Sequence, residues 1–213
     1  PGMRKFGTVG TTIPGVTVKI AEDGEILAKG PNVMRGYWND PVATREVIDA
    51  EGWLHTGDIG TFDPDGFLVI TDRKKHLIVN SGGKNIAPGP LESAFLRNGL
   101  ISQILIIGDG RVYLSALIVP EFDHVRERLA GAGGPVPTDR EMASMEAVRS
   151  MIQEEIDRLQ KDFAPYERIR RFTIMPRALT LEEGEITPTM KIRRSIVEKK
   201  YREAIERMYE GVV

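Results

Sequence analysis

The sequence contains no cysteine among its 213 residues. This absence excludes disulfide bonds, thiolate catalysis and cysteine-ligated zinc sites. It also favours an intracellular protein, so we expect a cytoplasmic location and leave peripheral contact with a membrane open. Histidine is scarce as well, and His55, His76 and His124 are too scattered to form a ligand set. We therefore predict no metal site on this chain.

Long apolar runs and a charge excess are also missing. No stretch approaches the roughly 18 apolar residues of a membrane-spanning helix, so we predict no transmembrane segment. The chain carries 29 basic and 31 acidic side chains, a formal net charge of -2. We therefore expect no nucleic-acid partner, because nothing in the balance attracts a polyanion.

The composition is that of a folded globular protein. Hydrophobic residues make up 41% and charged residues 28% of the chain, close to average values. The length suits one large domain or two smaller ones. Because the chain opens at Pro1 without an initiator methionine, inside a segment with regular patterning, we interpret it as a piece of a longer polypeptide.

The sequence pattern changes once along the chain. Residues 6–70 alternate short β-rich runs with turns, and residues 63–66 predict a hairpin. A short helix is expected at residues 40–50, with Asp40 as N-cap and Pro41 in the first turn. After Asp72 the pattern changes, which places a domain boundary near residues 72–75.

The part of the chain after Asp72 combines longer predicted helices with apolar strands. Helices are predicted at residues 90–98 and 121–130 and from stripes at 148–163 and 196–208, and a loop at 131–135. Strands are predicted at residues 101–107, 112–119 and 169–175, the first two as an antiparallel pair. The fold class is therefore α+β: a small β-rich subdomain followed by an α/β domain.

Two constellations lie in the β-rich part. Residues 24–30 and 34–38 form the first, which a glycine-rich hairpin with an aromatic pair explains by structure alone. The second, at residues 53–58, ends in Gly57 and Asp58. A carboxylate can accept hydrogen bonds from both hydroxyls of a ribose. The alternative is an aspartate that stabilises a turn.

A third constellation lies at the boundary, where the basic run 72–79 leads into residues 80–86. Basic side chains there can hold a phosphate, and Gly82 and Gly83 allow a backbone to approach a ligand. A solvated basic linker is the alternative reading. The G-x-x-x-x-G-K-[ST] spacing is missing around Lys84, so we reject a phosphate-binding P-loop.

The fourth constellation, residues 184–194, places Lys191 in a loop that glycine and proline stiffen. Such a lysine can bring a point charge to a developing negative charge. An exposed helix start is the alternative.

Taken in order, these constellations resemble the adenylate-forming enzyme superfamily of acyl-CoA synthetases, luciferases and peptide-synthetase adenylation domains. The resemblance covers essentially the whole chain. Many members have glycine directly before the lysine, whereas this chain has Met190. The segment 187–191, Thr-Pro-Thr-Met-Lys, looks like the long-chain fatty acyl-CoA synthetase branch.

The resemblance implies a role for each candidate residue. A carboxylate would join the α-phosphate of ATP with release of pyrophosphate, and CoA thiol would then attack the acyl-adenylate. Asp58 would hold the ribose hydroxyls, and Arg73 would contact the ribose or phosphates. Lys191 would be the catalytic cation of the first step. Lys75 would be the hinge on which the small domain swings. Gly82 and Gly83 would line the path of pantetheine.

The resemblance also implies the domain organisation. Residues 1–71 would be the distal β-rich part of the N-terminal AMP-binding domain, 72–75 the hinge, and 76–213 the C-terminal lid domain. The phosphate-binding loop, the acyl pocket and the magnesium ligands of the family would lie upstream. We therefore expect ATP phosphates and Mg2+ to be held mainly outside this chain, which alone should give no turnover.

Several alternatives stay open at this point. The chain can belong to another adenylate-forming branch that activates aryl or amino acids. It can also be a non-catalytic module that binds CoA or a nucleotide. The expected partners of the complete enzyme are a fatty acid, ATP and CoA, and the acyl chain length and the oligomeric state are left open.

Overall fold

The computed structural model describes residues 4–97, 99–129 and 137–211. These residues form two compact units, and the boundary between them along the chain falls between Leu77 and Ile78. We refer to them as the amino-terminal and the carboxyl-terminal unit. The predicted α+β class is confirmed, since one unit is mostly sheet and the other combines a sheet with helices.

A four-stranded antiparallel sheet forms the amino-terminal unit, with the strands in sequence order. The strands are β1 (Thr17–Ile20), β2 (Glu25–Lys29), β3 (Leu54–Phe62) and β4 (Leu68–Arg73). The predicted hairpin joins β3 to β4, and Asp63 Oδ1 accepts hydrogen bonds from the amides of Asp65 and Phe67. Gly60 lies where β3 approaches its neighbour closely, because a Cβ there would be 2.4 Å from the Val69 carbonyl oxygen.

The short helix of this unit forms as predicted. α1 (Pro41–Val47) has Asp40 as its N-cap, and Asp40 Oδ1 accepts a hydrogen bond of 2.9 Å from the Ala43 amide. This bond satisfies one of the donors that the first turn leaves free. Pro41 stands in that turn, where its missing N–H costs nothing.

A three-stranded sheet is the centre of the carboxyl-terminal unit, in the order β7 (Ile101–Ile107), β8 (Leu114–Pro120) and β9 (Ile169–Ile174). β7 and β8 are antiparallel, as predicted, but β8 begins two residues later because the turn extends to Tyr113. β9 runs parallel to β8. Helices occupy the long connection between them, which is the crossover that a parallel pair requires.

Helices pack on this sheet around a core of aliphatic side chains. They are α2 (Pro88–Leu96), α3 (Phe122–Leu129), α4 (Asp139–Ala143), α5 (Glu146–Leu159), α6 (Arg194–Lys200) and α7 (Arg202–Arg207). The stripe of α5 is buried through Val148, Ile152 and Ile156, as its periodicity predicts. The loop predicted at residues 131–135 lies outside the described residues.

Three predicted helices differ from the observed ones. The stripe 148–163 is helical only to Leu159, so Phe163 lies beyond α5. The stripe 196–208 is two helices, because the chain leaves helical geometry at Tyr201, with φ -104° and ψ 23°. The helix expected from residue 90 begins at Pro88, since proline is tolerated in a first turn. Short elements complete the unit: β5 (Ile78–Val79), β6 (Asn85–Ile86) and a 3-10 turn (Pro165–Glu167). Among the described residues, no helix combines the length and the apolar character that crossing a bilayer requires.

Candidate functional site

The amino-terminal unit brings Asp58 and Arg73 together. The two residues are directly paired between β3 and β4, and Arg73 Nε lies 2.9 Å from Asp58 Oδ1. The Asp58 side chain keeps 22% of its surface exposed. One carboxylate oxygen therefore holds the guanidinium, and part of the group remains open to a ligand.

The backbone around Asp58 is held in an unusual shape. Gly57 has a φ of +70°, a value that glycine adopts without strain. The hydroxyl of Thr56 donates to the Ile26 carbonyl at 2.7 Å and accepts from the Asp58 amide at 3.1 Å. Thr56 and Gly57 therefore fix the position from which the Asp58 carboxylate projects.

A buried carboxylate lies beneath this turn. Glu25 is 3% exposed, and it accepts hydrogen bonds of 2.9 Å each from the Gly57 amide, His55 Nδ1 and Lys74 Nζ. Lys74 also contacts Asp23 at 2.6 Å. Glu25 thus connects the Asp58 turn with Lys74, which lies in the predicted linker, residues 72–75.

Burial and hydrogen bonding act in opposite directions on Glu25. Burial raises its pKa, but the bonds from Lys74, His55 and the Gly57 amide outweigh burial and leave the pKa below its ordinary value. Asp23 and Glu25 in turn raise the pKa of Lys74. Both groups therefore stay charged at neutral pH, and the ion pair is permanent under those conditions.

The predicted hinge residue lies in a short 3-10 helix, Lys74–His76. Lys75 is exposed there, while Lys74 beside it is held by Glu25. The Leu77 amide closes the turn on the Lys74 carbonyl at 3.2 Å. The border between the compact units falls directly after this turn.

In the carboxyl-terminal unit, Gly82 and Gly83 lie in an exposed loop that Asn80 closes. Asn80 Oδ1 accepts hydrogen bonds from the amides of Gly82 (3.0 Å) and Lys84 (2.9 Å). The Ser81 amide donates to the Arg111 carbonyl at 2.8 Å, which fastens the loop to the β7–β8 turn. The loop therefore has a defined shape without any ligand.

The two glycines meet different local demands. Gly83 has a φ of +72°, which disfavours any other residue. Gly82 has no such φ, and a Cβ built on it would meet only Asn80 Oδ1, at 3.4 Å. Backbone conformation therefore explains Gly83, whereas neither its φ nor a close neighbour requires glycine at position 82.

Lys191 stands on the returning arm of a small hairpin. Ile186 and Ile192 form an antiparallel bridge, and the Thr187 amide donates to the Lys191 carbonyl at 2.8 Å. The Thr187 hydroxyl accepts from the Lys191 amide at 3.1 Å. The backbone of Lys191 is thus fixed, whereas its side chain is exposed.

A second buried carboxylate supports the base of this hairpin. Glu185 is fully buried, and its oxygens accept a bidentate pair of 2.8 Å bonds from Arg177. Tyr201 Oη (2.7 Å), Lys200 Nζ (2.9 Å) and the Thr180 amide (3.0 Å) complete the set. Burial raises the pKa of Glu185, but these donors, led by Arg177, lower it to about 2.

The sites predicted from the sequence are divided between the units. Asp58, Arg73 and Lys75 belong to the amino-terminal unit, in which Asp58 and Arg73 are in contact. Gly82, Gly83 and Lys191 belong to the carboxyl-terminal unit. Each position offers the kind of group that a nucleotide requires: an acceptor, a guanidinium, an open backbone and an exposed ammonium.

The residues present fit a nucleotide better than a metal. The open part of the Asp58 carboxylate and the neighbouring guanidinium suit a ribose and a phosphate. Among residues 4–97, 99–129 and 137–211, no three histidine, aspartate or glutamate side chains come together as a metal site.

Sequence reasoning missed the residues that hold the candidate groups in place. Glu25, Asn80 and Glu185 were inside or beside the constellations, yet none received a role. A weak signal existed for Glu25, which is the one charged residue directly before the apolar run Ile26–Ala28. Burial alone distinguishes such a glutamate from an exposed one, and burial depends on the tertiary structure.

Comparison with known proteins agrees with this geometry. Residues 75–213 match the family described as the AMP-binding enzyme C-terminal domain. The chain is 42% identical over 216 residues to the long-chain-fatty-acid–CoA ligase FadD15 of Mycobacterium tuberculosis, covering 96% of the chain and 34% of that protein. It is 33% identical to the human long-chain-fatty-acid–CoA ligase 1, covering all of the chain and 32% of that protein.

Solved structures show the same architecture. The adenylation domain of carboxylic acid reductase from Segniliparus rugosus, solved with AMP and a co-purified carboxylic acid, superposes with a TM-score of 0.70 at 30% identity, covering 89% of this chain and 28% of that one. O-succinylbenzoate CoA synthetase from Bacillus subtilis, solved with AMP, gives a TM-score of 0.60 at 27% identity, with 90% and 35% covered.

The chain spans about a third of the length of the curated relatives that it matches. The family match covers the unit that carries the lysine hairpin, within residues 75–213. The chain belongs to the family of AMP-binding enzymes, and residues 75–213 are its C-terminal domain.

Proposed function

We propose that this chain is the carboxyl-terminal portion of an ATP-dependent long-chain fatty acid–CoA ligase. The carrying observation is Lys191, an exposed cation on a hairpin whose backbone is fixed at its base and along its arms. Relatives with 33–42% identity over nearly the whole chain are named as ligases of this class, which supports the choice of substrate.

The proposed reaction has two steps. A carboxylate oxygen of the fatty acid attacks the α-phosphorus of ATP, a P–O bond forms, and pyrophosphate leaves. The sulfur of CoA then attacks the carbonyl carbon of the acyl-adenylate, and AMP leaves with the electrons of the broken C–O bond. Mg2+ would be held mainly by residues upstream of this chain, as the family resemblance implies.

Lys191 serves the first step in this proposal. Negative charge gathers between the attacking carboxylate and the α-phosphate, and a positioned ammonium stabilises it. A lysine suits the task because its charge is compact and its four-carbon stem is long. No base is required, since the attacking carboxylate is already ionised at neutral pH.

Asp58 and Arg73 bind the nucleotide in this proposal. The Asp58 carboxylate accepts hydrogen bonds from the ribose hydroxyls through the part that the guanidinium leaves open. Arg73 contacts the ribose or the phosphates and keeps the carboxylate oriented. The fixed turn at Thr56 and Gly57 sets where the carboxylate stands.

Lys75 is the proposed hinge, with residues 72–75 as linker, 1–71 as the distal part of the AMP-binding domain and 76–213 as the lid. A few residues at such a joint can absorb a large backbone rotation. The support is local: Lys74 is held by Glu25, and the exposed Lys75 follows it. After adenylation, rotation would withdraw Lys191 and bring Gly82 and Gly83 to the pantetheine chain of CoA.

The first test replaces the cation in the complete enzyme. Lys191→Ala should slow adenylation by about 100-fold or more, because the developing charge loses its partner. Thioester formation from supplied acyl-adenylate should change less than about threefold, since the cation has left by then. Pyrophosphate release and acyl-CoA formation from the adenylate measure the two steps separately.

Lys199→Ala is the matched control, because Lys199 is another exposed lysine of the same unit. It should leave both steps unchanged. Equal loss in both steps for Lys191→Ala would reject the assignment.

We also propose that the 213-residue chain alone gives no turnover and that the complete enzyme is cytoplasmic.

A second candidate remains within the same family. The structural likeness to an adenylation domain of a carboxylic acid reductase is as close as any reported above, at a TM-score of 0.70. A branch that passes its acyl group to a carrier domain instead of CoA would keep Lys191 and Asp58. Omission of CoA from the complete enzyme distinguishes the two, because only the ligase then stops at the adenylate.

A further inference from the structure

The lysine hairpin presents a physical problem that apolar packing does not solve. Met190 is 71% exposed, and Lys191 is exposed beside it. Ile186 alone is buried among the hairpin residues 186–192, and Ile192 is only partly buried against the core. A loop with so little buried surface is expected to open locally at low free energy. Its direction must be fixed from its base.

We propose that Glu185 is the positioning residue of Lys191, and that its buried contacts with Arg177, Lys200 and Tyr201 fix the base of the hairpin for adenylation. The inference rests on the function proposed for Lys191. Glu185 touches no substrate in this arrangement, because its side chain is fully buried. It acts through the backbone of the hairpin.

The backbone connection from Glu185 to Lys191 is short. The Glu185 carbonyl accepts a 2.8 Å hydrogen bond from the Arg193 amide, and its own amide donates to the Thr180 carbonyl at 3.0 Å. The next pair is the Ile186–Ile192 bridge, and the pair after that is the Thr187–Lys191 bond of 2.8 Å. A displacement at Glu185 therefore reaches Lys191 through two successive rungs.

The carboxylate joins the hairpin to two other segments. Arg177 and the Thr180 amide come from the chain after β9, while Lys200 and Tyr201 come from the end of α6. Arg177 also donates to Tyr201 Oη at 2.9 Å, so these two partners are fastened to each other as well. The hairpin leaves this cluster at Glu185 and returns to α6 at Arg193, so both of its ends are held.

A charge at this place is not explained by packing alone. Replacing a buried ion pair as a whole with apolar groups is often neutral or stabilising, so apolar side chains at Glu185 and its partners together would also fill the space. A carboxylate adds directional bonds at five donor positions, and these specify one geometry. Tyr201, at which the helical stripe breaks, supplies one of these five donors through its hydroxyl.

The experiment compares Glu185→Gln with Glu183→Gln. Glu183 lies two residues earlier, is exposed, and pairs only with Lys200 among the partners of Glu185. In the complete enzyme, Glu185→Gln should slow adenylation by about 10- to 100-fold and leave thioester formation from acyl-adenylate within about threefold. Glu183→Gln should change neither step. Loss of a merely structural residue would instead lower both steps together.

A local measurement on the 213-residue chain accompanies the kinetics. Amide hydrogen exchange of Thr187 and Arg193 should accelerate at least about tenfold in Glu185→Gln, because these amides close the hairpin. Exchange of Ile118 in β8 should stay unchanged if the fold is intact. Unchanged exchange at Thr187, or equal loss in both reaction steps by a folded variant, overturns the proposal.

Tyr201→Phe keeps the inference testable if Glu185→Gln does not fold. This change removes one donor to the carboxylate and keeps the ring. It should slow adenylation by about threefold or more with the same selectivity, and an equal effect on both steps would again overturn the proposal. Lys191→Ala can fail to slow adenylation selectively while exchange of the Thr187 amide still depends on Glu185. That result would reject the proposed function of Lys191 and keep the structural coupling between Glu185 and the hairpin.

Discussion

At the scale of single residues, Met190 carries the clearest strain. Its φ is +62°, and among the described residues only Asn39 shares a positive φ without being glycine. An L-residue with a Cβ is disfavoured in this region by about 1–2 kcal/mol. Many members of the family have glycine at this position, directly before the lysine, which suits the observed conformation.

Substitutions at Met190 should reverse the usual order of side chains. The free energy of unfolding of Met190→Gly should be higher than that of Met190→Ala by about 1 kcal/mol. In helices and strands the order is the reverse, because alanine there stabilises the fold more than glycine does. Met190→Val should be the least stable, because a β-branched residue tolerates positive φ poorly. Urea unfolding followed by far-UV circular dichroism measures the stability of each variant. A Met190→Ala variant more stable than Met190→Gly would contradict the prediction.

The two glycines of the Asn80 loop separate local strain from ligand access. Gly83→Ala should cost about 1 kcal/mol of stability because of its φ of +72°. Gly82→Ala should cost almost none, since its Cβ would meet only Asn80 Oδ1 at 3.4 Å. In the complete enzyme, Gly82→Ala should still raise the KM for CoA and leave adenylation unchanged. Unaltered CoA kinetics would remove Gly82 from the proposed pantetheine path.

At the scale of elements, buried carboxylates hold loops against strands and helices in both units. Glu25 connects β2 with the Asp58 turn and with Lys74. Glu185 connects the lysine hairpin with α6 and with the segment after β9. In each case the donors outweigh burial and lower the pKa of the glutamate. Both connections therefore weaken in acid.

The acid dependence of Glu185 has a defined window. Its pKa falls from the ordinary 4.5 to about 2 on folding, so its contribution to stability is complete above pH 4.5 and is lost as the pH falls towards 2. The stability difference between the native chain and Glu185→Gln should shrink by about 3 kcal/mol across that window.

Urea unfolding at a series of pH values measures this difference, with far-UV circular dichroism as the signal. The exposed Glu183→Gln is the control and should follow the native chain much more closely. A constant gap between the native chain and Glu185→Gln from pH 6 to 2 would show that the carboxylate does not ionise with the lowered pKa.

At the scale of the whole molecule, the two compact units differ in the size of their cores. The continuous hydrophobic core lies entirely within the carboxyl-terminal unit. In the described part of the amino-terminal unit, the buried apolar side chains are Ile26, Leu27, Ile59 and Phe67. A small core supplies little stability, so the amino-terminal unit should be the weaker one.

This difference predicts two separable unfolding transitions. Both tryptophans, Trp38 and Trp53, belong to the amino-terminal unit, so their emission reports that unit alone. Helical far-UV dichroism reports mainly the carboxyl-terminal unit, which contains α2 to α7. The emission change should occur at lower urea concentration than the dichroism change. Coincident transitions would show that the units unfold as one.

Local patterns in the sequence determined most elements of this protein. The hairpin at residues 63–66, the capped helix after Asp40, the paired strands around Asp109 and the helical stripe of α5 all follow from turn chemistry and periodicity. The order of the four constellations also indicated the family, because such motifs keep their spacing along a chain. These signals act between residues that are close in sequence.

Only the tertiary structure decided which polar groups are buried and what they hold. Glu25 meets Lys74 across 49 positions and Gly57 across 32, and the parallel pairing of β9 with β8 spans the helices between them. The Tyr201 hydroxyl donates to the Glu185 carboxylate, 16 positions earlier. The sequence does not distinguish a glutamate in an exposed charged loop from one in a buried cluster. The difference is desolvation, which depends on the elements that fold over the side chain.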